Sequence, residues 1–306
     1  MVFGYGSQGS AQAQNLRDSG KNVRVFLRPT SPHIQEVKEA GIPVTTDAGK
    51  AAKQASIAAV LIPDGEQPKL YKQVLEPNLK PGAAIVFAHG FAIHYRRIVP
   101  RPDLDVLLVA PLGQGDTVRS DFVKGGGVPC IVAVAQDATG RALVRGHEYA
   151  KAISKTGPFI DTTFAEEVET DLFAEQAVLC GGVPELIRAA FETLVGAGYT
   201  PDVAYFSCLR ELRAITKLLD RHSIAGMRKH ISDTARFGAV TRGPRIIDDR
   251  TRRVLTGVLE EIRSGAFTQE LDEERKKGFP NVRSRIETER RHQLEKIHRR
   301  HSPNNR

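Results

Sequence analysis

Short apolar runs separated by polar, helix-forming stretches recur through the first half of the chain. Residues 56–63, 83–88, 105–110 and 128–135 are nearly continuous apolar runs of strand length. Such runs predict strands buried on both faces, as in a parallel sheet. Residues 2–3 and 22–27 predict two further strands, and 10–16, 34–40, 67–74 and 138–153 predict helices between strands. Alternating strands and helices argue for a doubly wound α/β sheet. Near Thr162 and Thr163 the pattern changes. From there to about Gly265 the apolar positions recur at helical spacing, and 165–180, 184–197 and 202–220 predict helices with no strand between them. The chain thus divides into an α/β domain over 1–163 and an all-helical domain over 164–306, which ends in a polar, basic tail.

The first turn of the α/β domain is Gly4-Tyr5-Gly6-Ser7-Gln8-Gly9, a G-x-G-x-x-G run between a strand and a helix. In a Rossmann-like dinucleotide-binding domain Gly4 makes the tight turn, Gly6 lets the backbone approach a pyrophosphate, and Gly9 lets the helix pack close to the strand. The lead-in is abrupt, because such a strand usually runs about five or six residues. Either an upstream segment is missing or the central strand is short. Where an NAD enzyme offers an acid to the ribose hydroxyls, this chain has Arg28, followed by Thr30 and Ser31. A guanidinium and hydroxyls suit a 2′-phosphate, so NADP is expected over NAD. Asp64-Gly65-Glu66-Gln67 and His89-Gly90 lie just past strand ends, at the sheet edge where ligands bind.

Composition narrows the class. The chain has 306 residues, 41% hydrophobic and 26% charged, enough for two domains. No apolar run approaches the roughly 20 residues needed to span a bilayer, and no signal peptide precedes the glycines, so no membrane role is expected and cytoplasm is the default. Cys130, Cys180 and Cys208 show no C-x-x-C spacing and read as reduced thiols without zinc. The net charge of +8 is concentrated late, in 283–285 and 289–301, with acids interleaved and no tryptophan anywhere. That pattern predicts a solvated helix face rather than a nucleic-acid site.

Glu167, Asp171 and Glu175 fall at i, i+4 and i+8 of a predicted helix and share one face. Carboxylates stacked this way repel unless a cation offsets them, and oxygen ligands suit Mg²⁺. Spacing alone favours the plainer alternative, an exposed acidic face, over a metal site.

Several stretches resemble ketol-acid reductoisomerase: 4–9, Phe87-Ala88-His89-Gly90-Phe91, Val109-Ala110-Pro111, 125–129, and the long run 169–182, with 225–228 and 243–247 further on. The similarity runs from the first glycine to roughly Gln269. It implies NADPH and two Mg²⁺ ions, migration of an alkyl group within a 2-aceto-2-hydroxy acid, and hydride reduction of the resulting ketone, in the synthesis of valine and isoleucine. Under it Tyr5, Gly6, Ser7, Gln8, Arg28, Ser31, Asp64, Gly65, Glu66, Gln67 and Gly115 match cofactor contacts, and His89 matches the active-site histidine. Asp171 and Glu175 match the acidic pair on the first helix, Glu211 a carboxylate of the substrate-side helix, and Ser232 a substrate-contacting serine. The helical domain of the family is knotted. The short class forms dimers or dodecamers with active sites shared between chains, so a homo-oligomer acting on a small molecule is expected.

The departures cluster on the substrate side. Leu112 stands where the family has lysine, Asp116 where it usually has histidine, and Ser207 replaces the first of two glutamates. Ser232-Asp233-Thr234-Ala235-Arg236 replaces Ser-Asn-Thr-Ala-Glu, and Ala92 replaces an asparagine. Losing carboxylates and gaining Arg236 should weaken a second divalent site. Three readings follow: a working reductoisomerase, a reductase of ketones or imines without alkyl migration, and a non-catalytic NADPH-binding paralogue.

Overall fold

The apolar runs of the first half pair into one eight-stranded sheet, seen in a computed structural model that describes residues 1–302. The strands are β1 (Val2–Phe3), β2 (Val25–Phe26), β3 (Val44–Thr45), β4 (Ile57–Val60), β5 (Ala84–Phe87), β6 (Asp105–Pro111), β7 (Cys130–Gln136) and β8 (Phe159–Thr162). Their spatial order is 3-2-1-4-5-6-7-8. Every neighbouring pair is parallel except β6 and β7, which run antiparallel with Pro111 opposite Cys130. An all-parallel sheet was the expectation for these runs. Continuous apolar sequence encodes burial on both faces and carries no strand direction, so residues 128–135 gave no warning of the reversal.

Helices α1 (Ser7–Asp18), α2 (Ile34–Glu39), α3 (Ala48–Gln54), α4 (Gln67–Leu70), α5 (Glu76–Asn78), α6 (Phe91–His94), α7 (Gly115–Val123) and α8 (Ala142–Ile153) connect the strands. Successive strand residues enter different cores. Val2, Val86, Leu107 and Val109 pack with Leu16 of α1 and Ile153 of α8. Phe3, Ile85, Phe87 and Leu108 pack with Ala51 of α3 and with Leu75. This two-sided burial lets β1 hold its place with two residues, registered against Val25 of β2 and Ala59 of β4. Each such fully buried side chain contributes roughly 1.5–3 kcal/mol.

Asp105 opens β6 and is fully buried. It accepts hydrogen bonds from the backbone amides of Ala138 and Thr139, the Thr139 hydroxyl and Arg145 Nη1, all at 2.7–3.0 Å. Burial works against its charge, but the bonds from Thr139 and Arg145 outweigh it and hold the carboxyl below the usual carboxylate range. A folded-state pKa below the unfolded value of about 3.9 means the unfolded chain binds more protons in acid. The stabilisation is therefore full above the unfolded value and is lost as pH falls through the folded one. Asp105→Asn is expected to lower stability at neutral pH and to flatten the acid limb below about pH 4. Urea melts between pH 3 and 7 read both, and an unchanged acid limb would show that Asp105 does not carry this linkage.

The chain divides into two units, Met1–Thr170 and the residues from Asp171 onward. It passes from one to the other within α9 (Phe164–Ala174). Beyond lie α10 (Gly182–Gly196), α11 (Pro201–Tyr205), α12 (Leu212–Met227), α13 (Asp233–Ile246), α14 (Asp249–Ser264), α15 (Ala266–Lys276), α16 (Pro280–Arg291) and α17 (Gln293–His301), with no strand among the described residues. The helices expected at 165–180 and 202–220 each contain a π turn, at Glu175–Leu179 and Phe206–Arg210. A small core of Phe191, Ala204, Tyr205, Leu294 and Ile297 ties α17 to α10 and α11. The late arginines pair with acids, as Arg285 does with Glu289 and Glu185. No helix among the described residues is long and apolar enough to cross a membrane.

Candidate active site

The glycine loop sits where the strand order reverses, between β1 and β4, the usual ligand crevice of such sheets. Gly4 has φ +103°, and a Cβ there would lie 2.5 Å from the Leu61 carbonyl oxygen and 2.7 Å from Ile62 Cγ2. Only glycine fits that turn. A Cβ on Gly9 would lie 2.6 Å from the Gly4 carbonyl, whereas one on Gly6 would meet nothing within 4 Å. The loop is thus tight at both ends and open in the middle. The α1 N-terminus has no side-chain cap and no acid in its first turn. Its partial positive charge is left for an anion.

A cavity of about 640 Å³ opens beside the loop. Gly4, Tyr5, Gly6, Arg28, Ser31 and Glu66 of the expected contacts line it, joined by His33 and Lys69 and by apolar Leu61, Ile62, Leu70 and Val74. Lys69 and His33 were not expected from the sequence. Their signal was position alone, one turn into the helix after β4 and one residue before α2. The other expected contacts lie off this wall. The Gly115 amide donates to Ser7 Oγ at 3.1 Å, and Gln8 Nε2 donates to the Gly113 carbonyl at 2.8 Å. Both bonds fasten the start of α7 to the start of α1. Gln67 is buried and donates from Nε2 to the Ile62 carbonyl and to Asp64 Oδ1, each at 3.0 Å. Its Oε1 is buried without a hydrogen-bond partner, and Gln67 does not line the cavity. The anion-ready loop and the cavity beside it fit a nicotinamide dinucleotide.

His89 follows β5, and its Nδ1 lies 3.3 Å from Glu167 Oε1. The other Glu167 oxygen accepts from the Gly90 amide at 3.3 Å. Glu167 is 4% exposed, so it is not one more member of a solvated acidic face. Sequence reading grouped it with Asp171 and Glu175 and did not give it this partner, 78 residues away.

In the second unit Asp171 is partly buried one turn beyond Glu167 on α9, and exposed Glu175 is the first residue of its π turn. Exposed Glu211 directly follows the second π turn, which contains Ser207. Such turns concentrate at functional sites. Among the described residues Glu175 and Glu211 are not gathered with Asp171 within one ion's reach, whereas His89 and Glu167 are. Carboxylate oxygens are the donors a hard cation such as Mg²⁺ takes. Ser232 is the N-cap of α13, its Oγ accepting from the Ala235 amide at 3.2 Å. Arg236 Nε donates to the Arg228 carbonyl at 2.9 Å, and Nη1 lies 3.1 Å from Asp233. Asp233 and Arg236 therefore neutralise each other within this chain, so the pair gains one positive charge on the family pattern where Arg236 alone would gain two. Leu112 is half exposed just after β6, Asp116 is in the first turn of α7, and Ala92 is fully buried in α6.

Residues 1–157 match the family model for the NADPH-binding domain of acetohydroxy acid isomeroreductase, and 164–302 match that for the ketol-acid reductoisomerase C-terminal domain. The chain is similar to the solved structure of an NADH-preferring ketol-acid reductoisomerase from an uncultured archean. That match has 39% identity and a TM-score of 0.92, over 97% of this chain and 91% of the other. A semialdehyde dehydrogenase NAD-binding protein from Cupriavidus necator shares only the fold, at 19% identity and TM-score 0.65, over 86% of this chain and 97% of that one. The same holds for pyrroline carboxylate reductase from Plasmodium falciparum, at 13% and 0.52, over 86% and 96%. With the dinucleotide crevice built as described and both halves matched, the chain belongs to the ketol-acid reductoisomerase family and is a nicotinamide-dependent oxidoreductase acting on a small molecule.

Proposed function

We propose that this chain is an NADPH-dependent ketol-acid reductoisomerase that rearranges a 2-aceto-2-hydroxy acid and reduces the product, in branched-chain amino-acid synthesis. The observation that carries the cofactor assignment is the cavity wall. Arg28 and Ser31 stand at the end of β2, with Lys69 on the same wall. Two cations and a hydroxyl suit a 2′-phosphate, which an acid at the Arg28 position would repel. The archaeal relative prefers NADH, so family membership alone does not assign the cofactor. Arg28→Asp is expected to weaken NADPH at least about tenfold more than NADH. Fluorescence titration of both nucleotides decides it, and equal losses would remove the 2′-phosphate assignment.

Asp171, Glu175 and Glu211 would hold Mg²⁺. A divalent ion held by these carboxylates would supply Lewis-acid polarisation of the substrate's carbonyl and hydroxyl oxygens and offset the charge developed in alkyl migration. The protein's own groups then orient and protonate. Glu167 holds His89 through Nδ1, which fixes the ring plane for proton exchange with a substrate oxygen. Ser232 at the start of α13 is suited to a substrate carboxylate. The second unit leaves Leu179, Leu186, Phe237, Ile246 and Val254 exposed. Apolar surface of this kind supports a homo-oligomer in which a second copy covers it.

A second reading, reduction without migration, is favoured by Ser207 and Leu112, which remove a carboxylate and a cation from the substrate side. One paired assay separates the two. The protein is offered 2-acetolactate with NADPH and Mg²⁺, and separately 3-hydroxy-3-methyl-2-oxobutyrate, the already rearranged ketone. Turnover of both is the expected result. Turnover of the ketone alone establishes the second reading. Turnover of neither, with NADPH bound, leaves a binding paralogue.

A further inference from the structure

Helix α9 carries two carboxylates that the family assignment leaves without a shared purpose. Glu167 and Glu169 are two residues apart, so they project about 200° apart around the helix axis. Each meets an imidazole from the segment after β5. Glu167 meets His89 Nδ1 at 3.3 Å, and Glu169 Oε1 lies 3.6 Å from His94 Nε2. Between the two histidines the backbone lies against the helix. A Cβ on Gly90 would come within 2.7 Å of Phe164 Cδ1 and 2.9 Å of Val168 Cγ2. The segment is itself braced. Tyr95 packs edge-on to His94 at 4.6 Å and to Phe91 at 4.9 Å, and Arg97 lies over the Phe91 ring at 5.0 Å. Glu169 reaches Tyr95 electrostatically, helping burial to raise that phenol's pKa.

Contacts on two flanks fix what one contact cannot. A helix held by a single side chain can still roll about its axis, and a roll of one residue is about 100°. Held by Glu167 on one flank and Glu169 on the other, with Gly90 pressed between, α9 has one azimuth. Asp171 lies four residues past Glu167 on the same helix, and Glu175 four further. Their direction is set by that azimuth.

We propose that His94 and Glu169 are a pair of positioning residues that, opposite His89 and Glu167, lock the rotation of α9 and so aim the Asp171 and Glu175 carboxylates at the metal. The proposal rests on the metal assignment made above. Neither residue lines the cavity beside the glycine loop.

The test uses the full chain with NADPH, and Mn²⁺ as the probe, bound ion being read from loss of the free-ion electron paramagnetic resonance signal. Glu169→Ala and His94→Ala are each expected to weaken Mn²⁺ about tenfold, as removal of outer-sphere partners does. NADPH affinity should stay within about twofold, because the glycine loop is untouched. Glu169→Gln, which can still accept from His94, should recover most of the loss and guards against a merely unfolded variant. The double alanine variant should lose less than the two single losses added, because His94 and Glu169 act through a contact they share. Asp171→Asn is the control and should abolish binding. If it does so while both alanine variants bind Mn²⁺ as wild type does, or if their losses add in full, the pair does not position the site. If Asp171→Asn binds Mn²⁺ normally, the metal assignment fails and this inference falls with it.

Discussion

Gly115→Ala is expected to cost the protein its hold on NADPH. A Cβ at 115 would collide with the carbonyl oxygen, carbonyl carbon and hydroxyl of Ser7, far inside van der Waals contact. Two of those atoms are backbone, so no side-chain rotation relieves the clash. Either α7 or α1 must retreat. Ser7 is the first residue of α1 and follows Gly6, the open point of the glycine loop. Retreat of α1 moves the amides that would meet a pyrophosphate, and it breaks the Gly115 amide bond to Ser7 Oγ and the Gln8 bond to the Gly113 carbonyl. Overpacking of this kind costs about 1–3 kcal/mol of stability. A further loss of roughly a hundredfold in NADPH affinity corresponds to about 2.7 kcal/mol. Fluorescence titration and a thermal melt on one sample read both. Native affinity would mean that α7 alone yields and that the junction is not part of the cofactor site.

The second large effect is expected at Glu167→Leu. The carboxylate accepts from the Gly90 amide and faces His89 Nδ1, and it is buried. Leucine fills much of the volume but leaves a buried N–H without an acceptor, which costs about 1–3 kcal/mol. It also releases the His89 ring. With its orienting partner gone, kcat for acetolactate should fall by roughly 10²-fold or more, the range for a misplaced general acid–base. KM for NADPH should hardly move, because the glycine loop keeps its contacts. Glu167→Gln separates the two effects. The amide oxygen can still accept from Gly90, so stability should return, while the charge that supports an imidazolium stays absent. A leucine variant with native kcat would show that His89 needs no partner, or that it does not act in turnover.

The parts of this molecule that were legible in sequence are those written in neighbouring residues. The glycine spacing gave the first turn, apolar runs gave β4, β5 and β6, and Arg28 at the end of β2 gave the basic wall. Two edge strands escaped notice for a physical reason. β3 is two residues long, and β8 carries Asp161 and an exposed Ile160, so neither shows the apolar run of a central strand. The site was harder. His89 and Glu167 are joined only by the fold, and the i, i+4, i+8 pattern rightly put Glu167 with Asp171 but added Glu175, which the structure does not gather with them. Asp233 and Arg236, three apart, were readable as a pair, yet Arg236 taken alone looked like an uncompensated gain of positive charge. Charge at a site is a property of sets of residues, and compensation shows only when the set is assembled.

The π turns at Glu175–Leu179 and Phe206–Arg210 have a consequence for how such a protein can change. Each holds one more residue than a plain α-helical turn would need. A single-codon deletion inside either turn would leave an unbroken helix rather than a broken one, so the chain has a low-cost path to a sequence that still folds locally. Five residues of a π turn wind about as far as four of an α-helix, so closing the turn leaves the helix beyond it in nearly its present direction. What such a deletion removes is the widened backbone at Glu175 or just before Glu211. Length variation at these two points would therefore be tolerated by the fold while it reshapes the backbone beside the carboxylates.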